Sequence, residues 1–299
     1  MRRLKSILKR ISDRGRCGFN IPVLCYHSWT VDGDVYGAND HVCLEQDLHT
    51  LAARGYQVLP AECLVDLLEE KIPSKAIAGK KLVCLTFDDG RDYDYFPHVD
   101  ERWGEVKGFH SIVSDSVKYL PQLLPGTRAV SFVIASPAAR RQLDEACGRG
   151  QGEWNDFWWE DCAREGVLGI ANHSWDHVHD ALPEVRQKDN AKGSFFRIDS
   201  FEDAERQIAD AQQYIDEKTN GLTIPVFCYP YGHVPEYLKN TYFPENADRI
   251  GLRAAFSTAG ASVTPHSDRW ALPRFVCGLD WKTGEEFERL LSSCEAGTL

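Results

Sequence analysis

Two adjacent carboxylates follow an apolar segment in the first third of the chain. Residues 82–87 (LVCLTF) have the composition of a strand covered on both faces, and Asp88, Asp89 and Gly90 follow directly. Because the chain turns at a strand end, neighbouring carboxylates can take different roles there, one binding a metal ion and the other accepting a proton. Asp-Asp-Gly is also ordinary turn sequence, so this pattern alone leaves both interpretations open.

Two histidines later in the chain favour the chemical interpretation. His173 and His177 lie in NHSWDHVH (172–179) with i, i+4 spacing, which predicts that they share one face of a helix and bind a single ion. One carboxylate oxygen and two imidazoles are a usual ligand set for catalytic zinc, and this set leaves positions for water and substrate. The sequence therefore predicts a catalytic metal site.

The composition excludes several other classes of protein. With 299 residues, of which 43% are hydrophobic and 26% charged, the chain is predicted to be soluble and globular. The net charge of -11 argues against nucleic-acid binding, which needs clustered Lys and Arg. None of the ten cysteines forms a CxxC pair, and Cys25, Cys84, Cys228 and Cys277 lie in apolar segments. We therefore predict reduced core cysteines in a cytoplasmic protein.

The first residues form a separate, basic segment. Residues 1–16 carry seven basic side chains and one acidic one, with Leu4, Ile7, Leu8 and Ile11 at helical spacing. This segment is either an amphipathic helix that contacts an anionic membrane or a partner, or a solvated tail. Because no apolar core follows the charges, we expect no secretory signal and a cytoplasmic location, with peripheral contact to the inner membrane as one hypothesis.

Strand-like and helix-like segments alternate along the rest of the chain. The predicted strands are residues 21–25, 82–87, 129–135, 168–171, 225–229, 254–258 and 270–277, and the predicted helices include 42–56, 61–71, 201–219 and 284–293. This alternation predicts a parallel sheet, either open or closed into a barrel. Since His27, Asp88, His173 and Tyr231 each follow a predicted strand, we expect them to meet at the carboxyl end of the sheet.

Four motifs resemble those of the polysaccharide deacetylase family, carbohydrate esterase family four. LTFDDG (85–90) and HSWDH (173–177) resemble its first two motifs in the expected order. YPYG (229–232) is similar to the third motif in the poly-N-acetylglucosamine deacetylase branch, with Cys228 where the family usually has Arg. VLCYHS (23–28) resembles the early YH motif of the same branch.

The resemblance implies a fold and a domain organisation. The expected fold is α/β, a distorted (β/α)7-8 barrel with the active site at its top. A single catalytic domain would span residues 21–299, after a basic tail over residues 1–20.

The resemblance also implies roles for the residues of the first two motifs. Asp89, His173 and His177 would bind Zn²⁺ or another divalent ion such as Co²⁺ or Ni²⁺. Asp88 would act as the catalytic base, and Arg274 in LPRF would keep its carboxylate ionised.

The remaining site residues are expected to serve the leaving group and the substrate. His27 would protonate the leaving nitrogen, and the backbone N–H of Tyr231 would stabilise the oxyanion. Tyr231, Pro230 and Trp175 are the predicted substrate-binding residues, although Tyr231 and Trp175 could instead belong to the core. His179 either supports the metal site or has no role.

The expected activity is removal of N-acetyl groups from a sugar of a bacterial surface glycan or its precursor, namely O-antigen, capsule or exopolysaccharide. Two alternatives remain open at this point: an O-acetyl esterase acting on a polysaccharide, and an inactive glycan-binding relative. Trp154, Trp158 and Trp159 either stack on sugars or pack against the next helix.

Overall fold

The computed structural model describes residues 18–28, 33–100, 102 and 104–299. The predicted amphipathic segment over residues 1–16 lies outside these residues. Nowhere in the described part of the chain does a helix have both the length and the apolar composition needed to cross a membrane.

Strands and helices alternate along most of the chain, as the sequence predicts. The strands are β1 (Val23–His27), β2 (Tyr56–Val58), β3 (Lys81–Asp88), β4 (His98–Asp100), β5 (Gly104–Val106), β6 (Ala129–Val133), β7 (Leu168–Asn172), β8 (Val226–Cys228), β9 (Ala254–Phe256) and β10 (Phe275–Val276). The α-helices are α1 (Asp40–Ala53), α2 (Ala61–Leu68), α3 (Phe109–Ser116), α4 (Pro137–Cys147), α5 (Trp159–Glu165), α6 (Phe201–Ala204), α7 (Asp210–Lys218), α8 (Phe243–Ile250) and α9 (Gly284–Ala296).

One sheet of eight parallel strands organises the molecule. Its order is β10-β1-β3-β6-β7-β8-β9, with β2 also paired to β3. A parallel bridge between Phe256 and Leu272 joins β9 to the segment that leads into β10, so the sheet curls towards closure. The predicted fold, a single-domain distorted (β/α) barrel, is confirmed.

The composition of β3 explains its central position. Leu82 and Cys84 belong to one buried hydrophobic cluster, whereas Val83, Leu85 and Phe87 belong to another. Because successive side chains on a strand point to opposite faces, β3 needs apolar residues at both sets of positions. Asp88 is the last residue of β3, and its side chain lines the cavity.

The chain departs from the predicted elements in several places, including the following three. The predicted helix over 42–56 ends before Gly55, whose φ of +77° reverses the chain, and residues 56–58 form β2. The predicted strand over 270–277 is regular only at 275–276. The helical segment from α6 to α7 contains a π-helical turn, Glu205–Ala209. These differences arise from backbone geometry and pairing partners, which hydrophobic periodicity does not specify.

Candidate active site

A cavity of about 810 Å³ opens at the carboxyl ends of the sheet strands. Most of the predicted site residues line it, and the set that the structure brings together is His27, Asp88, Asp89, His173, His177, His179 and Tyr231. Ile134, Leu143 and Trp154 form an apolar part of the same wall. The strand alternation therefore predicted the correct end of the sheet.

Asp88 is held by a buried guanidinium. Arg274 Nη1 and Nη2 each donate to one Asp88 carboxylate oxygen at 2.7 Å, a bidentate pair with Arg274 fully buried. The guanidinium also donates to Thr86 Oγ1 at 3.1 Å and to the Ser257 carbonyl at 3.1 Å. These contacts fix the plane of the guanidinium and therefore the orientation of the carboxylate.

The charge of Arg274 decides the ionisation of Asp88. Burial alone would raise the pKa of this carboxyl, but the charge and hydrogen bonds of Arg274 hold it well below its usual range. Asp88 is therefore a carboxylate at neutral pH although it is buried. A carboxylate in this state can accept a proton.

Asp89, next in the chain, faces the two histidines. Asp89 Oδ1 lies 3.7 Å from His173 Nε2 and 3.8 Å from His177 Nε2. Ligand atoms around one tetrahedral zinc ion are roughly 3.3–3.6 Å apart. One atom from each of the three residues lies within 4.8 Å of the others, so this donor set fits a divalent ion.

The two imidazoles are prepared for binding in different ways. His173 Nδ1 lies 3.0 Å from the Cys228 carbonyl, which directs its Nε2 towards Asp89. Burial, together with His173 and His179, holds the pKa of His177 well below its usual value. A neutral imidazole is the form that binds a metal.

The histidines do not lie on a helix, which corrects the prediction from their spacing. Residues 173–179 form turns, and Ser174, His177 and Val178 have positive φ values of 71°, 61° and 51°. Side chains cap this backbone: Asn172 Oδ1 accepts from Ser174 N–H and Ser174 Oγ accepts from His177 N–H. The i, i+4 pair still converges on one point because the turn folds back on itself.

His27 ends β1 directly opposite Asp88 in the register of the sheet. Its Nε2 lies 4.0 Å from Asp88 Oδ2, and about a quarter of its side chain is exposed. The backbone N–H of His27 donates to Asp40 Oδ2 at 2.7 Å. The imidazole therefore lines the cavity beside the Asp88 carboxylate.

Of the three predicted substrate-binding residues, only Tyr231 lines the cavity. Tyr231 has a φ of +59°, and its ring centre lies 4.4 Å from that of His177. Pro230 is buried at the start of the turn that presents Tyr231. Trp175 lies outside the cavity, where Arg186 covers its ring at 3.7 Å. Neither Pro230 nor Trp175 lines the cavity, so their roles in substrate binding stay predictions.

Sequence reasoning named Cys228 and Trp154 but did not predict their contacts in the site. Cys228 Sγ lies 2.9 Å from Arg274 Nη2 and 3.5 Å from Asp88 Oδ2, so it takes part in the carboxylate–guanidinium cluster. Among the three candidate tryptophans, Trp154 lines the cavity and donates Nε1–H to the Asp89 carbonyl at 2.9 Å. Trp158 and Trp159 are core residues, 1% and 0% exposed. The departure of Cys228 from the third motif was a sequence signal, whereas nothing in the sequence distinguished Trp154 from Trp158 and Trp159.

The sequence model of the polysaccharide deacetylase family matches residues 75–254, more than half of the chain. The chain belongs to this family. No curated protein matches it significantly by sequence. The matched segment includes the DDG turn, the two histidines and the turn at Tyr231, and membership makes the protein a deacetylase that acts on a polysaccharide.

Solved structures of deacetylases have the same fold. The Streptococcus pyogenes deacetylase PplD, solved with acetate, is 18% identical with a TM-score of 0.59, over 92% of this chain and 99% of that one. A de-N-acetylase from Aggregatibacter actinomycetemcomitans is 16% identical with a TM-score of 0.59, over 91% and 99%. The BpsB deacetylase domain from Bordetella bronchiseptica is 16% identical with a TM-score of 0.56, over 87% and 96%.

Proposed function

We propose that this polysaccharide deacetylase is a metal-dependent N-deacetylase acting on a bacterial surface glycan or its precursor. The proposal rests on one observation: two adjacent carboxylates have different partners. Asp88 is bound by Arg274, whereas Asp89 faces two imidazoles. Amide hydrolysis needs both a proton acceptor and an electrophilic centre, and these neighbours supply one each.

Asp89, His173 and His177 would hold the metal ion. The three donors converge at one point beside the cavity, and the set of one carboxylate oxygen and two imidazoles suits Zn²⁺, with Co²⁺ or Ni²⁺ as alternatives. When bound, such an ion polarises the acetyl carbonyl and lowers the pKa of water.

Asp88 would remove the proton of the attacking water. As the oxygen of that water bonds to the acetyl carbon, its proton passes to the carboxylate that Arg274 keeps ionised. The backbone N–H of Tyr231 would stabilise the negative charge that develops on the acetyl oxygen. Ile134, Leu143 and Trp154 provide an apolar wall suited to the acetyl methyl group.

His27 would act as the catalytic acid. An amine leaves poorly as an anion, so a proton must reach the nitrogen as the C–N bond breaks. His27 lines the same cavity as Asp88, with its Nε2 4.0 Å from Asp88 Oδ2, so the proposed acid and base can reach one bound substrate. The products are acetate and a free amino sugar.

The position of His27 at the end of β1, lining the cavity, also supports membership of the poly-N-acetylglucosamine deacetylase branch, whose early YH motif resembles Tyr26-His27. The solved neighbours include a de-N-acetylase and the BpsB deacetylase domain. We therefore favour an N-acetyl over an O-acetyl substrate.

The substrate is tested by acetate release from N-acetylglucosamine oligomers and from O-acetylated xylan, with chelator and after metal is restored. We expect release from the N-acetylated oligomers that chelator abolishes and Zn²⁺ restores. Chelator-resistant release, or release from acetylxylan alone, would contradict the proposal. As a control for the acid, His27→Gln should slow amide cleavage about 100-fold or more but affect an activated ester much less, because its leaving group needs no proton.

We also propose a cytoplasmic enzyme that contacts the membrane through residues 1–16, where lipid-linked precursors are made. Deleting these residues should move the protein from the membrane fraction to the soluble fraction. Unchanged partitioning would reject the membrane contact and leave the proposed activity untouched.

A further inference from the structure

A second cluster of potential metal ligands lies beside the candidate active site. Asp40 and Cys43 belong to the first turn of α1, and Cys277 directly follows β10. One ligand atom from each residue lies within 4.8 Å of the others. None of these residues has a role in the proposed reaction.

The spacing of the three side chains suits a single tetrahedral ion. No two of the ligand atoms of Asp40, Cys43 and Cys277 are more than 4.8 Å apart. Around a tetrahedral zinc ion, thiolate sulfurs are roughly 3.5–4 Å apart, so the cluster needs little rearrangement to bind one.

A backbone hydrogen bond to sulfur provides a second, independent observation. The N–H of Gly37 donates to Cys43 Sγ at 3.1 Å. Hydrogen bonds of this kind stabilise negative charge on metal-bound sulfur. Gly37 has a φ of +84°, and a Cβ at this position would lie 2.5 Å from the Lys282 carbonyl, so this close approach requires glycine.

Access and ligand chemistry define which ion would bind. Cys43 is fully buried, whereas Cys277 and Asp40 line the cavity, so a bound ion would keep one position open to solvent. Two sulfurs and one carboxylate oxygen favour a thiophilic d¹⁰ cation over Mg²⁺ or Ca²⁺.

We propose that Asp40, Cys43 and Cys277 form a second metal site, which binds Zn²⁺ or a similar thiophilic divalent cation. Because Asp40 also accepts a hydrogen bond from the backbone N–H of His27, this site connects α1, the turn after β10 and the end of β1. An ion bound here would occupy the cavity wall beside the proposed catalytic acid.

Cadmium provides a direct probe, because Cd²⁺ bound to thiolate has an ultraviolet charge-transfer band. The Asp89, His173 and His177 set contains no sulfur and gives no such band. Titrating Cd²⁺ into the reduced full-length protein should produce a band that saturates at one equivalent of thiolate-bound ion. A reduced, folded wild-type protein that shows no band would overturn the proposal.

Variants locate the site. Cys43→Ser and Cys277→Ser should each lose most of the band, whereas Cys147→Ser, which changes another cavity-lining cysteine, should retain it. Asp40→Asn should keep the band but weaken Cd²⁺ binding about tenfold or more, since one charged ligand is lost. A full band in the Cys43→Ser/Cys277→Ser double variant would contradict the assignment.

A second measurement needs no variant and so does not depend on the folding of one. Bound Zn²⁺ should shield Cys277 from a maleimide, with the labelled site located by peptide mass mapping. Cys147, the exposed cysteine among those described, should remain reactive with or without Zn²⁺. Equal labelling of Cys277 in both conditions would contradict the proposal.

Discussion

In two regions of this deacetylase, the surroundings of a buried carboxylate shift its pKa in opposite directions. At the cavity, Asp88 is bound by Arg274, which holds the pKa of the carboxyl well below its usual range despite burial. On the outer side of β1, Asp47 of α1 is surrounded by neutral donors: Tyr36 Oη at 2.6 Å, Tyr26 Oη at 3.0 Å and Trp281 Nε1 at 3.1 Å. Burial raises the pKa of Asp47 to about 7 in spite of these bonds.

The difference shows what a buried carboxylate needs in order to serve as a base. Hydrogen bonds from the hydroxyl and indole groups lower the pKa of Asp47, but desolvation raises it by more and decides the outcome. A fixed cation reverses that outcome at Asp88. The polar cluster of Asp47 therefore joins α1, β1 and the Trp281 segment as a structural element, while Asp88 remains ready to accept a proton.

The largest effect is expected from Arg274→Gln, which leaves the Asp88 charge buried without its cation. The loss should be about 3–5 kcal/mol of unfolding free energy, measured by denaturant titration at neutral pH. Deacetylation should fall as well, because the pKa of Asp88 rises when Arg274 is removed.

Arg253→Gln is the matched control, since this arginine binds Asp66 and Glu69 where the side chain is a quarter exposed. It should cost about 1 kcal/mol or less. Similar losses in the two variants would show that Arg274 has no special role.

A smaller, pH-dependent effect is expected from Asp47→Asn. Between the ordinary pKa of about 4 and the folded value near 7, the unfolded state releases the proton and the folded state retains it. The contribution of Asp47 to the free energy of unfolding is therefore greatest below pH 4. It falls by about 1 kcal/mol per pH unit as the pH rises towards 7. The variant lacks this term, so its deficit relative to wild type should shrink from pH 5 to pH 8. A constant deficit would mean that Asp47 is ionised in the folded protein.

The smallest effect is expected from Tyr36→Phe, which removes one donor to Asp47. The loss of this hydrogen bond should cost about 1 kcal/mol. It should also raise the pKa of Asp47 further and extend the pH-dependent range upwards. The same substitution in the Asp47→Asn background should leave the pH dependence unchanged, and a shift in that background would contradict the assignment to Asp47.

The sequence was sufficient to predict the barrel and the position of its site. Alternating strand and helix patterns place His27, Asp88 and His173 at the carboxyl ends of parallel strands, since every βα unit runs in the same direction. Motif order then identified the candidate base and metal ligands without any knowledge of their geometry.

Side-chain directions within turns were beyond sequence reasoning. Positive φ values at Ser174 and His177 depend on local capping bonds, so the i, i+4 spacing suggested a helix that does not form. Trp175 lies between the two proposed histidine ligands in sequence but packs under Arg186. The cluster of Asp40, Cys43 and Cys277 joins residues far apart in the chain, and no local pattern indicates it.

The central claim is that of two adjacent aspartates, Asp88 accepts the proton and Asp89 binds the metal. The most direct test measures metal content and acetate release for Asp88→Asn and Asp89→Asn. Asp88→Asn should retain about as much zinc as wild type but lose about 100-fold or more of its deacetylation. Asp89→Asn should lose both bound metal and activity. Retained activity in Asp88→Asn, or equal loss of metal in the two variants, would contradict the account.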